Sequence, residues 1–238
     1  MPPDIHHKLQ QLKVARNIIR QHIKDIDRVL LAGCGTDDTE VLAAYSIFRC
    51  HIVGVDTAIR SNKQISKHCL LLKQDLTKLP FQDGRFDVIY CYHVLEHINN
   101  DAAALREMAR VLRSGGILYI GFPNKRRMLG YIDSCKTRSW QERVRWNLKD
   151  WNDRLHRRFI NQKGAHAGYY EAEFIKLAQA HFSKICPVHR QYFLKKYPRY
   201  GTAIKVLIVA KADKYLFPSN YFICQKGRAK PKKRKAHK

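Results

Sequence analysis

An α/β architecture, with a parallel sheet covered by helices on both faces, follows from three observations. Short apolar runs at 29–32, 51–56, 68–75, 85–92 and 117–122 have the length of buried strands. Segments with helical periodicity separate them, so consecutive strands run parallel and cross over with a right hand, which makes the sheet doubly wound. A turn built as Gly33-Cys34-Gly35 follows the first run, at the strand-to-helix junction where such sheets hold ligands.

Each element has its own signal. Leu9, Leu12, Ala15, Ile19, Ile23 and Ile26 mark one face of a helix over 8–26. VLLA (29–32) is the first strand, TEVLAAYSIFR (39–49) a helix and HIVGVD (51–56) the second strand. HCLLLKQD (68–75) and RFDVIYCY (85–92) follow as strands, then DAAALREMARVL (101–112) as a strong helix. Arg113-Ser114-Gly115-Gly116 is expected to end that helix before the strand ILYIGF (117–122). Beyond 124, Trp140, Val144, Leu148, Trp151, Leu155 and Phe159 recur at helical spacing, a stripe of about five turns. HAGYYEAEFIKLAQAHF (166–182) predicts another helix, 183–189 a strand, TAIKVLIVAKADKYLF (202–217) a helix stopped by Pro218, and NYFICQ (220–225) the last strand.

Composition bounds the partners. At 238 residues and 45% hydrophobic content one domain is expected over 1–225, followed by a basic, flexible tail at 226–238. No apolar run reaches the roughly 18 residues of a membrane span. The polar start, MPPDIHHKLQQLKVARN, lacks a secretory core, so a cytoplasmic protein, at most peripheral to a membrane surface, is expected. Seven scattered cysteines without a C-x-x-C pair fit free thiols and no metal site. The net charge is +25, of which the tail carries eight Lys/Arg and no acid. Such a surface attracts an anionic partner, RNA or a membrane surface, unless it reflects only a general basic bias.

The chemistry gathers at the glycine turn. Asp56 ends the second strand 21 residues after Gly35, the spacing that puts a carboxylate at ribose hydroxyls. A dinucleotide is disfavoured, because Asp38 stands where a third glycine would be and Asp37, Asp38 and Glu40 would repel a pyrophosphate. The acids tolerate a cationic nucleoside without phosphates, a description that S-adenosylmethionine fits. Methyl transfer from an activated sulfonium needs alignment and desolvation, and a general base if the acceptor is a hydroxyl. Histidine is tuned nearest neutrality, and His93, His97 and His166 are the candidates, while Glu96 is expected to cap or anchor.

VLLAGCGTDD (29–38), VGVDTA (53–58), KQDLTKLPFQDGRFDVIYCYHVLEHI (73–98) and REMARVLRSGGILYIGFPN (106–124) together resemble the class I, Rossmann-like S-adenosylmethionine-dependent methyltransferases, in particular the ubiquinone-biosynthesis type. The resemblance implies a seven-stranded sheet, mostly parallel with an antiparallel last strand, here with a helical insertion between strands five and six. It implies that Asp75 bonds the adenine amino group, that the backbone at Leu76 reads the ring, and that Tyr92 to His97 close the methionine end. The expected cofactor contacts are therefore Ala32, Gly33, Cys34, Gly35, Asp37, Asp56, Thr57, Asp75, Leu76, Tyr92 and His93. The family's usual acid before the glycines is replaced by Leu31, and Asp37 stands at its third glycine, so Asp37 or Asp38 could supply the missing charge.

The expected activity is methyl transfer to a small or lipid-like acceptor, at oxygen rather than nitrogen or carbon. Cys91-Tyr92-His93-Val94 stands where the superfamily's base-amino methylating enzymes often carry Asp/Asn/Ser-Pro-Pro-aromatic. Two alternatives stay open: an RNA methyltransferase gripping phosphates with tail and helix, and a non-catalytic relative that binds a cofactor or partner. The tryptophan helix at 139–160 has three readings, as a lid over the acceptor, as an interfacial helix on lipid, or as a packed surface helix.

Overall fold

The strands form one eight-stranded sheet in the order β3-β4-β2-β1-β5-β6-β8-β7. In the computed structural model, which describes residues 3–131, 139–161 and 167–227, they are β1 Arg28–Ala32, β2 His51–Asp56, β3 Lys63–Ser66, β4 Cys69–Lys73, β5 Phe86–Tyr92, β6 Leu112–Pro123, β7 Lys184–Pro187 and β8 Ser219–Gln225. β4, β2, β1, β5 and β6 run parallel, and β8 lies antiparallel to both β6 and β7. The expected seven strands are present with the antiparallel last one. The eighth, β3, adds antiparallel to the β4 edge. Its sequence, KQIS, shows no apolar run, as befits a short polar strand at a sheet edge.

The continuous apolar character of β1, β2, β5 and β6 is explained by burial on both faces. On one face pack α1 (Pro3–Ile19), α2 (Thr39–Phe48), α6 (His189–Lys196) and α7 (Gly201–Val209), through Leu12, Ile18, Val41, Phe193 and Ile204. On the other, α3 (Asp101–Val111) and α5 (Glu171–Ala178) bring Leu105, Met108 and Phe174. The strand order reverses between β1 and β5, so the loops after these two strands flank the switch point.

Several expected boundaries shift for local reasons. The first helix ends at Ile19 rather than near 26, and Ile23 is buried from the turn that follows. β6 starts at Leu112, directly after α3, and the expected Arg-Ser-Gly-Gly break is a register shift inside the strand, with Gly115 at φ +76°. The helix expected over 202–217 is split into α7 and α8 (Asp213–Leu216) by Lys211 at φ +57°. Lys226 and Gly227 still belong to the fold: Lys226 Nζ donates to the Leu112 carbonyl at 2.7 Å, and Ser114 donates to the Gly227 carbonyl. The rest of the basic tail lies outside the described residues.

The helical insertion between the fifth and sixth strands of the seven-stranded scheme holds α4 (Trp140–Leu155) and α5. The spacing located α4 correctly, but its apolar stripe does not pack. Trp140 is 71% exposed, Leu148 64% and Leu155 80%, and only Phe159 beyond the helix is buried. α4 is held instead by its polar side. Arg127 and Asp150 form a buried ion pair at 2.8 Å, Asn147 bonds both N–H and carbonyl of Gly130, and Arg154 donates to the carbonyls of Lys125 and Arg127. A buried charge pair resists separation, because either partner alone would be stranded without solvent.

Candidate active site

The loop after β1 is shaped by its glycines. Gly33 has φ +78° and Gly35 φ +81°, the left-handed region that a side chain makes costly. The two differ in surroundings. A Cβ on Gly33 would lie 2.2 Å from a methyl of Val94, whereas one on Gly35 would meet nothing within 4 Å. Gly33 N–H donates to the Val55 carbonyl at 2.8 Å, which ties the loop to β2. Ala32 and Cys34 are buried, and the Cys34 thiol presses onto Gly54, so neither side chain reaches the open side of the loop. Burial, reinforced by Glu40 and Asp56, pushes the Cys34 thiol up to about 12.

Asp56 stands at the end of β2 and engages both flanks. Its Oδ2 accepts from Gly35 N–H at 2.9 Å and its Oδ1 from Ala58 N–H at 2.9 Å. A carboxylate offers about four acceptor positions, so these bonds leave roughly two for further donors. Thr57 beside it is exposed. Asp75, exposed after β4, accepts from the N–H and hydroxyl of Thr77, both at Oδ1, and Leu76 is buried behind it.

The acids after the glycines have local duties. Asp37 Oδ1 accepts from Thr39 N–H at 3.0 Å at the start of α2, and bonding to Thr39 holds its carboxyl below the usual range. Asp38 pairs with Lys63 at 2.7 Å on the β3 edge. Both keep negative charge beside the loop, although their bonds are directed at the protein itself.

β5 delivers Tyr92 and His93 to the other side of the switch point. The Tyr92 hydroxyl accepts from Gln11 of α1 at 2.8 Å and lies 3.4 Å from the Tyr221 hydroxyl. Its side chain is thus committed to the α1 side of the sheet, and burial raises its phenol well above the ordinary value. The expected contact at Tyr92 is left to its backbone. His93 takes φ +54°, uncommon for a residue with a Cβ, and its N–H donates to the Gly121 carbonyl. The ring is gripped from two sides: Nδ1 lies 3.3 Å from Glu96 Oε1, and Nε2 lies 3.3 Å from Ser219 Oγ at the start of β8. Glu96 is 4% exposed, and neither of its oxygens has a hydrogen bond of good geometry. A buried carboxylate needs a charged or donating partner, and the His93 ring is the one beside it. Glu96, expected to cap or anchor, thus lies against the His93 ring. Ser219 could not be found from the sequence, since it meets His93 across 126 positions.

His97 is exposed and lines a cavity of about 290 Å³ with Glu96, Asp101, Lys125, Tyr169 and Glu173 among its walls. Tyr169 donates to Asp101 at 2.9 Å, and Lys125 faces Glu173 at 3.4 Å. Glu96 is part of the cavity wall, whereas neither His93 nor the glycine loop is. His166 lies outside the described residues.

Comparison with known proteins places these features in context. Residues 30–120 match the family model described as a methyltransferase domain. A protein of Mycobacterium tuberculosis named Probable S-adenosylmethionine-dependent methyltransferase is 34% identical over 98 residues, 41% of this chain and 36% of that protein. Sterol 4-C-methyltransferase strm-1 of Caenorhabditis elegans is 30% identical over 119 residues, 46% of this chain and 32% of that protein. The chain thus spans about a third of the length of these curated relatives. The solved structure of the [4+2]-cyclase SpnF superposes with a TM-score of 0.51 at 18% identity, covering 91% of this chain and 81% of that one, a likeness of fold.

Proposed function

We propose, from the premise that this chain carries a class I S-adenosylmethionine-dependent methyltransferase domain, that it transfers a methyl group to an oxygen of a small or lipid-like acceptor, with His93 as the general base. The observation that carries this reading is the convergence at one sheet switch point of an open glycine turn, an acid ending β2 and a histidine ending β5. Similarity of fold alone would not suffice, since one fold hosts different reactions and a cyclase shares this one.

The residues present fit the cofactor. Gly35 leaves open the space a Cβ would take, so backbone can approach a ligand there. Asp56 retains acceptor capacity for ribose hydroxyls, and Asp75 Oδ2 remains for the adenine amino group. Asp37 and Asp38 hold negative charge near the loop, which suits a cation and repels phosphate. When bound, S-adenosylmethionine supplies a methyl group activated for in-line displacement, and S-adenosylhomocysteine leaves.

The chain's own work is to align and to take a proton. With Glu96 Oε1 3.3 Å from Nδ1, Nε2 is the ring nitrogen left to face an acceptor, the atom that now meets the Ser219 hydroxyl. An acceptor hydroxyl replacing Ser219 at Nε2 would lose its proton to the ring as the new C–O bond forms, and the Glu96 carboxylate would stabilise the imidazolium. His97, in the cavity wall with Glu96, is better placed to contact the acceptor's remote part. A lipid-like acceptor is favoured over RNA because a curated relative of this region is named for a sterol substrate. Incubating the protein with S-adenosylmethionine and fractionated lipids or RNA, then screening products for the mass of one added methyl, tests the acceptor class. On the acceptor so found, His93→Ala should lower kcat by about 10²–10⁴-fold. An unaltered kcat would remove His93 from the reaction.

A further inference from the structure

α4 presents its apolar stripe to solvent and its polar side to the protein, the reverse of an ordinary surface helix. At 3.6 residues per turn, Trp140, Val144, Leu148, Trp151 and Leu155 fall within a sector of about 80°, and all are between 46% and 80% exposed. The sector continues onto neighbouring elements. Trp151 Nε1 donates to the Met128 carbonyl at 2.9 Å, and Met128 N–H donates to the Tyr215 carbonyl of α8 at 2.7 Å. Met128, Leu129 and Tyr215 are each close to half exposed. The buried Arg127–Asp150 pair and the Asn147 bonds to Gly130 hold the helix in this sense, so the stripe cannot roll inward without breaking them.

We propose that this surface, α4 with the 128–129 loop and α8, docks on an anionic phospholipid membrane. Charge selects the occupant. Arg145 on α4, Arg157 just past it and Lys214 on α8 are exposed, whereas the exposed Lys149 lies about 140° from the centre of the stripe. Of the three acids on α4, Asp150 is buried against Arg127, Asp153 sits between Lys149 and Arg158, and the exposed Glu142 lies about 160° from the centre of the stripe. A second copy of a chain with net charge +25 would be repelled from such a rim. RNA would satisfy the cations but leave Val144, Leu148 and Leu155 in water, since aliphatic side chains offer no stacking face for bases. A bilayer surface meets both demands, with indoles at the headgroup level, aliphatic groups below and Lys/Arg on anionic headgroups. Ile160 and Asn161, just past α4, line the cavity beside Glu96, so docking would bring that cavity to the lipid, a consequence that rests on the catalytic reading above.

All three tryptophans of the chain, 140, 146 and 151, lie on α4, so intrinsic fluorescence reports on this surface directly. Full-length protein is mixed with phosphatidylcholine vesicles and with vesicles that also contain phosphatidylglycerol. A blue shift and co-flotation are expected with the anionic vesicles, weakening as salt rises. The combined variant Trp140→Ser, Leu148→Ser, Leu155→Ser changes only exposed positions. It should lose vesicle affinity by at least about tenfold while keeping its thermal midpoint and its affinity for S-adenosylmethionine. Absence of a blue shift with either vesicle would overturn the proposal, as would undiminished vesicle binding by the triple variant. An equal blue shift with single-stranded RNA, abolished in that variant, would assign the surface to RNA instead. Titrating the cofactor into the same samples registers any failure of the catalytic reading separately.

Discussion

Gly33 and Gly35 share a left-handed backbone but carry different duties. At Gly33 a side chain would strike Val94 as well as strain the turn, and Gly33→Ala should destabilise the fold by roughly 3 kcal/mol. At Gly35 the Cβ would enter open space, so Gly35→Ala should cost only about 1 kcal/mol yet weaken S-adenosylmethionine at least about tenfold, each tenfold being 1.4 kcal/mol of lost contact. Thermal unfolding and a cofactor titration on both variants check this. Full cofactor affinity in Gly35→Ala would mean that the open space is not the cofactor's. These glycines, Asp56 and Asp75 were legible in the sequence because strand-end spacing fixes where they fall. The grip on His93 was not, because Ser219 reaches it from the far end of the chain, and because Glu96 reads as an anchor without revealing what it holds. Tyr92 and Cys34 were placed correctly along the chain, but the two faces of a strand end cannot be told apart when both are buried.

α4 shows how far periodicity informs. The spacing of apolar residues identified the helix but left its apolar side open to three readings, a lid, an interfacial helix or a packed surface helix. The side that docks is decided by Asp150 meeting Arg127 and by Asn147 meeting Gly130, contacts across 23 and 17 positions that no local pattern announces. Removing one member of a buried pair strands the other, at a cost of about 3–5 kcal/mol. Asp150→Ala should therefore release α4 locally: hydrogen exchange over 140–155 should accelerate while the amides of β1, β5 and β6 stay protected. Unchanged exchange over α4 would show that the pair does not hold it. β3 is the opposite case, a strand that no apolar pattern could predict because it forms on the β4 edge with only Ile65 turned to the core and its other side chains exposed.

For the molecule as a whole, the alternation of strands and helices gave the doubly wound sheet, since both faces of the central strands must be covered, whereas the antiparallel last strand was expected only from the family resemblance. The buried thiols add a pH dependence. Cys34 is pushed up to about 12, and burial raises Cys91 and Cys224 further. In the unfolded chain a thiol ionises near pH 8.5. The stabilising contribution is therefore fully present below about pH 8.5 and is lost as pH rises toward the folded value, at up to about 1.4 kcal/mol per unit per thiol. Thermal midpoints measured in reductant should fall through this alkaline window, and less steeply in Cys34→Ala. Equal slopes would show that the thiol does not report its burial.

The switch point is the claim on which the functional account turns, and calorimetric titration with S-adenosylmethionine tests it most directly. Saturable binding at a single site is predicted for the wild-type chain. Asp56→Ala, still unfolding cooperatively, should bind at least about tenfold more weakly, as expected when a carboxylate that accepts ribose hydroxyls is removed. No binding by the wild-type chain at millimolar cofactor, or an affinity unchanged in Asp56→Ala, would contradict the assignment.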